Sequence, residues 1–531
     1  MIHGIQKWRG PALAVLLVIL AGGWHFLDTR AGVMESGDGW LLRLYLGLFA
    51  WVLLILGFTA VCLLGRRLRL ELCVFLSVLL LGCAYLVTLP PLSSPDEIAH
   101  FASSYGISNR LLGMEAEDGD GHVYLRREDE ALSNIYGATG EEERISLGRL
   151  LDEETWKFLA AHGSPVFTDQ AGREMVPSVI STVKTTPMAY VPQAIGITLA
   201  RLLGLNCVYL AFLGRLMNLL LFAGMTALSV HFIPAGKLIL YGTALLPMSL
   251  HLAASLSYDA FVMSGCFFFG SYCMYLAYAK PKVEKRDIAA LSVTIALLGP
   301  CKIVYAVVLG FALLIPVKKF GGWKPWALSA LAVFVSFLGA MVLVNSQIIA
   351  GYAAGTDTYV TWAAEEGYSL PFILHNPLRY MRMVYETVTV QGGELFLTML
   401  GSRLGNLDAV LSVPFFILAG LTACLVGMGI RSAGEALYVT AGQKLWLLFL
   451  AGACLLGLMT AMLIALTPLS AGSIAGVQGR YLLPLLPFVV LTLKNDRLVR
   501  TAGSDERLVF YMCAMNGYVV LRLFSIVSMR L

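Results

Sequence analysis

Apolar runs near the length of a bilayer recur from one end of this 531-residue sequence to the other, and no other feature constrains its fold as much. Crossing ~30 Å of hydrocarbon takes roughly 20 helical residues, and backbone groups that meet no water in lipid must satisfy one another within the helix. An all-α polytopic integral membrane protein is therefore expected. Composition agrees, since 58% hydrophobic and 14% charged residues exclude a soluble domain with one core. The runs fall near 11–27, 41–64, 70–89, 208–232, 238–256, 259–279, 287–299, 302–316, 325–345, 410–430, 444–467, 478–493 and 507–530, thirteen crossings or half-crossings. The first follows Lys7 and Arg9 with no clear small-residue cleavage site, so it reads as a retained signal-anchor helix. None of the ten cysteines forms a CxxC pair or lies in a long polar loop, which argues against a disulfide framework and a zinc site.

The net charge of +4 hides an asymmetry, because residues 91–186 hold 17 Asp/Glu and 8 Lys/Arg, a net of −9. Short basic connections at Arg66-Arg67-Arg69, Lys280–Arg286, Lys318-Lys319-Lys324 and Lys494–Arg500 are expected on the cytoplasmic side. That places the N-terminus inside and the acidic loop 90–206 outside. Counting residues 187–204 as a span would turn Lys280–Arg286 outward, and Pro187, Pro192 and Arg201 also oppose it; an interfacial or re-entrant helix is predicted there. Asp287–Pro316 is basic at both ends, so it must enter and return, with Gly299-Pro300 at the tip. In a second outer loop, 346–408, Asn376 and Pro377 can start a helix on which Leu378, Met381, Tyr385 and Val388 share a face. Arg379 and Arg382 lie on another face, suited to anionic head groups of membrane lipids. The organisation expected is an N-terminal transmembrane hairpin (1–69), a core (70–345) with the acidic loop, the second outer loop (346–408) and C-terminal transmembrane helices (409–531). No repeat or inverted pair of halves is visible.

Ionisable residues cluster where predicted spans reach the outer surface. In Ser94-Pro95-Asp96-Glu97-Ile98-Ala99-His100-Phe101, Ser94 can cap a helix, Pro95 can take its first position and Glu97 can close a capping box. That structural account leaves Asp96 and His100, which share a helix face, unexplained. Asp259 starts the next outward-opening span, where a carboxylate also serves the helix dipole. Lys302 stands at the tip of the membrane hairpin, Arg480 at the outer start of 478–493 and Arg215 in the outer third of 208–232. Snorkelling or interfacial anchoring explains any one of these cations singly; three on the side that holds a carboxylate pair make a less casual arrangement. The runs Glu115-Glu117-Asp118-Asp120 and Glu141-Glu142-Glu143 read as solvated charge. There is no P-loop or dinucleotide fingerprint, and no nucleic-acid partner is expected.

These residues resemble a known family. Ser94-Pro95-Asp96-Glu97 with His100-Phe101, Leu246-Pro247 with Ser257-Tyr258-Asp259, Lys302 with Tyr305, Gly405-Asn406-Leu407-Asp408, and Val477-Gln478-Gly479-Arg480-Tyr481 with Pro484 and Pro487 look like the bacterial membrane family called domain of unknown function 2142, over about 70–500. That family in turn resembles the GT-C glycosyltransferases, whose first outer loop carries an acidic pair after a transmembrane helix. The resemblance implies a GT-C-like bundle in the bacterial cytoplasmic membrane that transfers a sugar, with inversion, from a polyprenyl-phosphate donor to an outer-face glycan acceptor. Asp96 would be the general base, Glu97 or Asp259 would orient the acceptor or hold a divalent ion, His100 would belong to the same catalytic group, and Lys302, Arg480 and Arg215 would hold the carrier phosphate. A divalent ion, if one takes part, would fall to Asp96 and Glu97; no tightly bound cofactor is implied. Two departures stand out: two spans precede the one before Asp96, and Asn406 stands where the family pattern has tryptophan. The rival readings are a flippase of lipid-linked glycans and a non-catalytic envelope-assembly protein.

Overall fold

A computed structural model describes all residues except 1, 37–38, 136–144, 150, 152, 184, 355–358, 434, 437, 502–503 and 530–531, so Glu141-Glu142-Glu143 lies outside the described residues. Among the described residues eight helices are long and apolar enough to cross a membrane: Trp8–Met34, Gly39–Leu64, Leu70–Thr88, Cys207–Phe232, Asp259–Ala279, Trp323–Ser346, Ala441–Leu466 and Asp505–Ser528. Shorter apolar helices at Ile303–Leu314, Phe415–Gly429 and Gly479–Leu491 fall on further expected crossings. The protein is an all-α polytopic membrane protein.

Several of the described crossings depart from regular α-helix: 41–64 and 259–279 end in π-helical turns, Gly479–Leu485 is 3₁₀, and two more lie beside the site. The run 238–256 is broken into Lys237–Ala244 and Pro247–Ala253, with Leu246 extended as the residue before a proline must be. The break frees carbonyls that lipid cannot solvate, and side chains meet them: Ser249 Oγ donates to Thr243 O at 2.8 Å and Asn516 Nδ2 to Leu245 O at 2.8 Å. The hairpin's second limb, Ile303–Leu314, is a 3₁₀-helix, about 24 Å long at ~2.0 Å per residue. Trp446 Nε1 donates to its Gly310 O at 2.9 Å.

The helices define two ends. Leu70–Thr88 and Cys207–Phe232 run between the acidic loop and a connection where Glu71 meets His231 and Lys237, while Asp259–Met274 leads from Asp259 to the Lys280–Asp287 pair. At the latter end lie Arg66–Glu506, Lys494–Glu435 and Arg500–Asp505 as well. The acidic loop covers the other end. There helix α1 (Glu97–Leu111) packs on the antiparallel strands β1 (His122–Arg126) and β2 (Met175–Ser181), around Phe101, Tyr105, Val123 and Leu125. Residues 187–204 form a 3₁₀ turn, Pro187–Tyr190, and helix α2 (Val191–Leu202). At about 18 Å, α2 is too short to span. It lies against Cys207–Phe232 so closely that a Cβ on Gly196 would sit 2.8 Å from Gly214 Cα, while Ile195, Leu199 and Leu202 face outward.

In the second outer loop helix α3 (Pro377–Leu400) leaves Leu378, Met381, Tyr385 and Val388 exposed along one face, as their spacing predicts. Asn376 holds the cap position without a side-chain cap bond; its amide donates instead to Phe372 O at 2.9 Å. Arg379 is exposed, lies over the Tyr368 and Phe372 rings and donates to Leu469 O at 3.0 Å.

Candidate functional site

The segment after Leu70–Thr88 decides how the two adjacent carboxylates face. Asp96 sits at φ +58°, a left-handed conformation that aspartate tolerates better than most residues. It occupies the cap position of α1 with no side-chain cap bond, and its side chain is 70% exposed. The turn at Asp96 drives Glu97 the other way. Glu97 is fully buried, accepts the Ser94 and Leu256 N–H groups at 2.9 Å each, and lies 3.6 Å from Arg215 Nε. Arg215, also fully buried, donates to Ala254 O at 2.7 Å and Leu89 O at 3.0 Å. Burial pushes the Glu97 carboxyl up, against the pull of Arg215 and of both N–H groups. Only half of the expected capping box forms, since Ser94 Oγ turns to His251 Nε2 at 3.0 Å.

Five of the seven residues singled out in the sequence meet at the exposed side of this turn. Arg480 Nη2 is 3.4 Å from Asp96 Oδ2, and Arg480 Nε is 3.6 Å from Asp259 Oδ2, so one guanidinium bridges two carboxylates. Lys302 Nζ pairs with Asp259 Oδ1 at 2.6 Å and lies over the Tyr258 and Tyr481 rings, 5.0 and 4.3 Å from their centroids. The hairpin tip that carries it is anchored by Asn345 Nδ2 on Pro300 O at 2.9 Å. His100, one helical turn after Asp96, bonds Tyr190 OH through Nδ1 at 2.7 Å and meets Tyr258 edge-on. Burial pushes its imidazole down to about 4, so it is neutral at neutral pH.

Glu97 and Arg215 stand behind this group rather than in it. With the Glu97 carboxylate turned inward, Asp96 and Glu97 do not converge on a shared cation. Ligand atoms of Asp118, Asp120 and His122 do come within 4.8 Å of one another. Asp118 Oδ1, however, accepts the Asp120 and His122 N–H groups, which accounts for that turn. The sequence reading gave no role to Tyr258 and Tyr481, although each directly adjoins a residue it named, or to His251, a lone histidine in an apolar run.

Beside Arg480 lies a cavity of 160 Å³ whose lining includes Met248, Gln391, Thr398, Leu407, Gln478 and Arg480. The Arg480 side chain is 3% exposed, yet its Nε and Nη1 have no hydrogen-bond partner, nor does Gln478 Oε1. Buried polar groups in that condition cost stability unless a ligand or water meets them. The backbone places them there because a Cβ on Gly479 would stand 2.1 Å from Leu395 O and 2.4 Å from Met399 N on α3. Only glycine lets the chain lie directly on that helix. Asn406 is exposed near the cavity's Leu407 wall, and its neighbour Gly405 O faces His251 Nε2 at 3.2 Å.

A family model described as predicted membrane protein (DUF2142) matches residues 79–489. The chain belongs to the DUF2142 family. The DUF2142 match begins within Leu70–Thr88 and ends within Leu486–Leu491, so it encloses Asp96, His100, Asp259, Lys302 and Arg480. It leaves out the first two helices and the last. Neither a curated protein nor a solved structure matches the chain.

Proposed function

We propose that this DUF2142 protein is an inverting GT-C-type glycosyltransferase that moves a sugar from a polyprenyl-phosphate donor to a hydroxyl of a glycan acceptor on the outer face of the cytoplasmic membrane. The observation that carries the reading is Arg480, a buried guanidinium that meets Asp96 and Asp259 and keeps Nη1 unpartnered beside a cavity. Asp96 takes the acceptor's hydroxyl proton as that oxygen bonds to the anomeric carbon. The bond from that carbon to the phosphate oxygen breaks, and its electron pair leaves with the phosphate, whose growing charge Arg480 meets. Lys302 is assigned a supporting part, because its 2.6 Å contact with Asp259 leaves that carboxylate neutralised beside Arg480. Glu97 and Arg215 are assigned to the scaffold. The basic connections at the opposite end of the helices favour an outward-facing site.

The test compares envelope sugar composition in the native host among wild type, gene deletion and Asp96→Asn at matched membrane abundance. Asp96→Asn is expected to lose the same sugar as the deletion, with unmodified acceptor accumulating. A wild-type sugar profile in the Asp96→Asn strain removes the reading.

Gly479→Ala supplies an independent check on the phosphate side. The added methyl must push the 477–480 segment off α3, and a displacement near 1 Å costs about 10²-fold in rate. Transfer in isolated membranes should fall by that order while protein abundance holds.

A further inference from the structure

The membrane hairpin, with limbs Lys285–Leu298 and Ile303–Leu314, packs unevenly on the helix that follows it, Trp323–Ala354. At the tip the fit is close: a Cβ on Gly299 would stand 2.6 Å from Phe337 Cδ2, and Asn345 holds Pro300 O. At the base the three segments part around a cavity of 330 Å³ whose lining includes Ile288, Leu291, Leu309, Leu313, Val333 and Phe334. We propose that this cavity, with Lys285 and Lys318 beside it, binds one anionic phospholipid, an acyl chain in the cavity and the phosphate on the lysines. The site lies at the end of the helices opposite Asp96 and stands apart from the transferase reading.

The cavity suits hydrocarbon and little else. The lining side chains named above are apolar, the Ser329 hydroxyl in the wall already donates to Pro325 O at 2.7 Å, and Gly310 O in the limb takes the Trp446 N–H. A water would need two to four polar partners there. At ~30 Å³ for each group the size of a water, the space takes on the order of ten methylenes, part of one acyl chain. Leu313 is 56% exposed and Phe334 50%, so the cavity opens sideways onto a surface that meets lipid. A lipid tail gains little by leaving the bilayer for an equally apolar cavity, which leaves selection to the head group.

Charge supplies that selection. The connections at this end, 280–287 and 318–324, hold seven Lys/Arg against two Asp/Glu. Both carboxylates are taken, Glu284 by Arg286 at 2.6 Å and Asp287 by Lys280 at 2.7 Å. Lys285 and Lys318 are exposed and, among the described residues, have no carboxylate partner. The Val283 N–H donates to Lys319 O at 3.0 Å and brings the two connections together. Lys285 stands one helical turn before Ile288, and Lys318 two residues before Phe320, both wall residues. Trp326, also in the wall, has the amphipathic ring that sits well at head-group depth. A lysine near the membrane surface favours an anionic lipid by about fivefold, so two acting on one head group exceed what either connection supplies with a single residue.

The test uses the full-length protein in nanodiscs of phosphatidylglycerol and phosphatidylcholine in equal amounts with matched acyl chains, released for native mass spectrometry to weigh the lipid that stays bound. Phosphatidylglycerol should be retained about tenfold or more over phosphatidylcholine. Lys285→Gln/Lys318→Gln should bring that ratio near one. Ala330→Trp, which fills the cavity from an exposed wall position, should remove the retained lipid. Arg67→Gln/Arg69→Gln takes the same charge from another exposed connection at this end and should keep the wild-type ratio. A single size-exclusion peak at the wild-type position shows that each variant is folded. Equal loss of selectivity in both double variants assigns it to the general field of the basic end and overturns the site. A wild-type ratio near one, unchanged retention in Ala330→Trp, or a bound mass belonging to polyprenyl phosphate or to a protein chain overturns it too.

Discussion

Arg215→Leu is expected to destabilise the folded protein by about 3–5 kcal/mol, the cost of leaving one member of a buried charge pair alone. Glu97 would remain fully buried with two backbone N–H groups but no cation, and the Ala254 and Leu89 carbonyls would lose their donor. The pair ties the end of one span, the Ser94–Glu97 turn and the Ala254–Leu256 turn together, so its loss loosens the turn that presents Asp96. The measurement is the folded fraction surviving a heating series in detergent, read by size-exclusion chromatography. Glu97→Gln/Arg215→Leu should recover part of the loss, since no unpaired charge remains. A stable Arg215→Leu protein that has lost only donor binding would return Arg215 to the phosphate-binding role that the sequence had suggested.

Arg480→Lys should lower the transfer rate by about 10²- to 10³-fold, the range seen when one group that stabilises a developing oxyanion is removed. Charge is kept, so the effect comes from geometry. A guanidinium reaches Asp96 with Nη2 and Asp259 with Nε and still has Nη1 free for the cavity, whereas one ammonium on a flexible stem cannot hold all three positions. Interactions that strengthen in the transition state appear in kcat, so kcat should fall further than donor KM rises. Single-turnover release of polyprenyl phosphate from the labelled donor measures this. A wild-type rate would place the leaving phosphate away from Arg480.

Hydropathy and charge made the membrane architecture legible, and parity counting set Asp96, Asp259, Lys302 and Arg480 at one surface, where the structure brings them together. The split between Asp96 and Glu97 was not legible, because it depends on a left-handed residue at 96 and on partners 159 positions away in the chain at Leu256. Pro247 carried a break signal in plain view, yet hydropathy averages over it and reads 238–256 as one span. Periodicity over so short an apolar run could not tell the 3₁₀ limb at Ile303–Leu314 from an α-helix. The cavity beside Arg480 was invisible for a different reason. Its walls are remote in the chain, and what lets the Gly479 backbone lie against Leu395 and Met399 is a missing side chain rather than a motif.

The distance in chain between the site's halves sets the order in which a cell can build it. Asp96 leaves the ribosome 384 residues before Arg480, and Trp156 Nε1 waits 371 residues for the Val527 carbonyl that pins the acidic loop to the last helix. At roughly 5–20 residues per second, Asp96 spends about 20–75 s without its partner. A chain interrupted between Asp96 and Arg480 therefore carries the exposed carboxylate without the guanidinium that meets it.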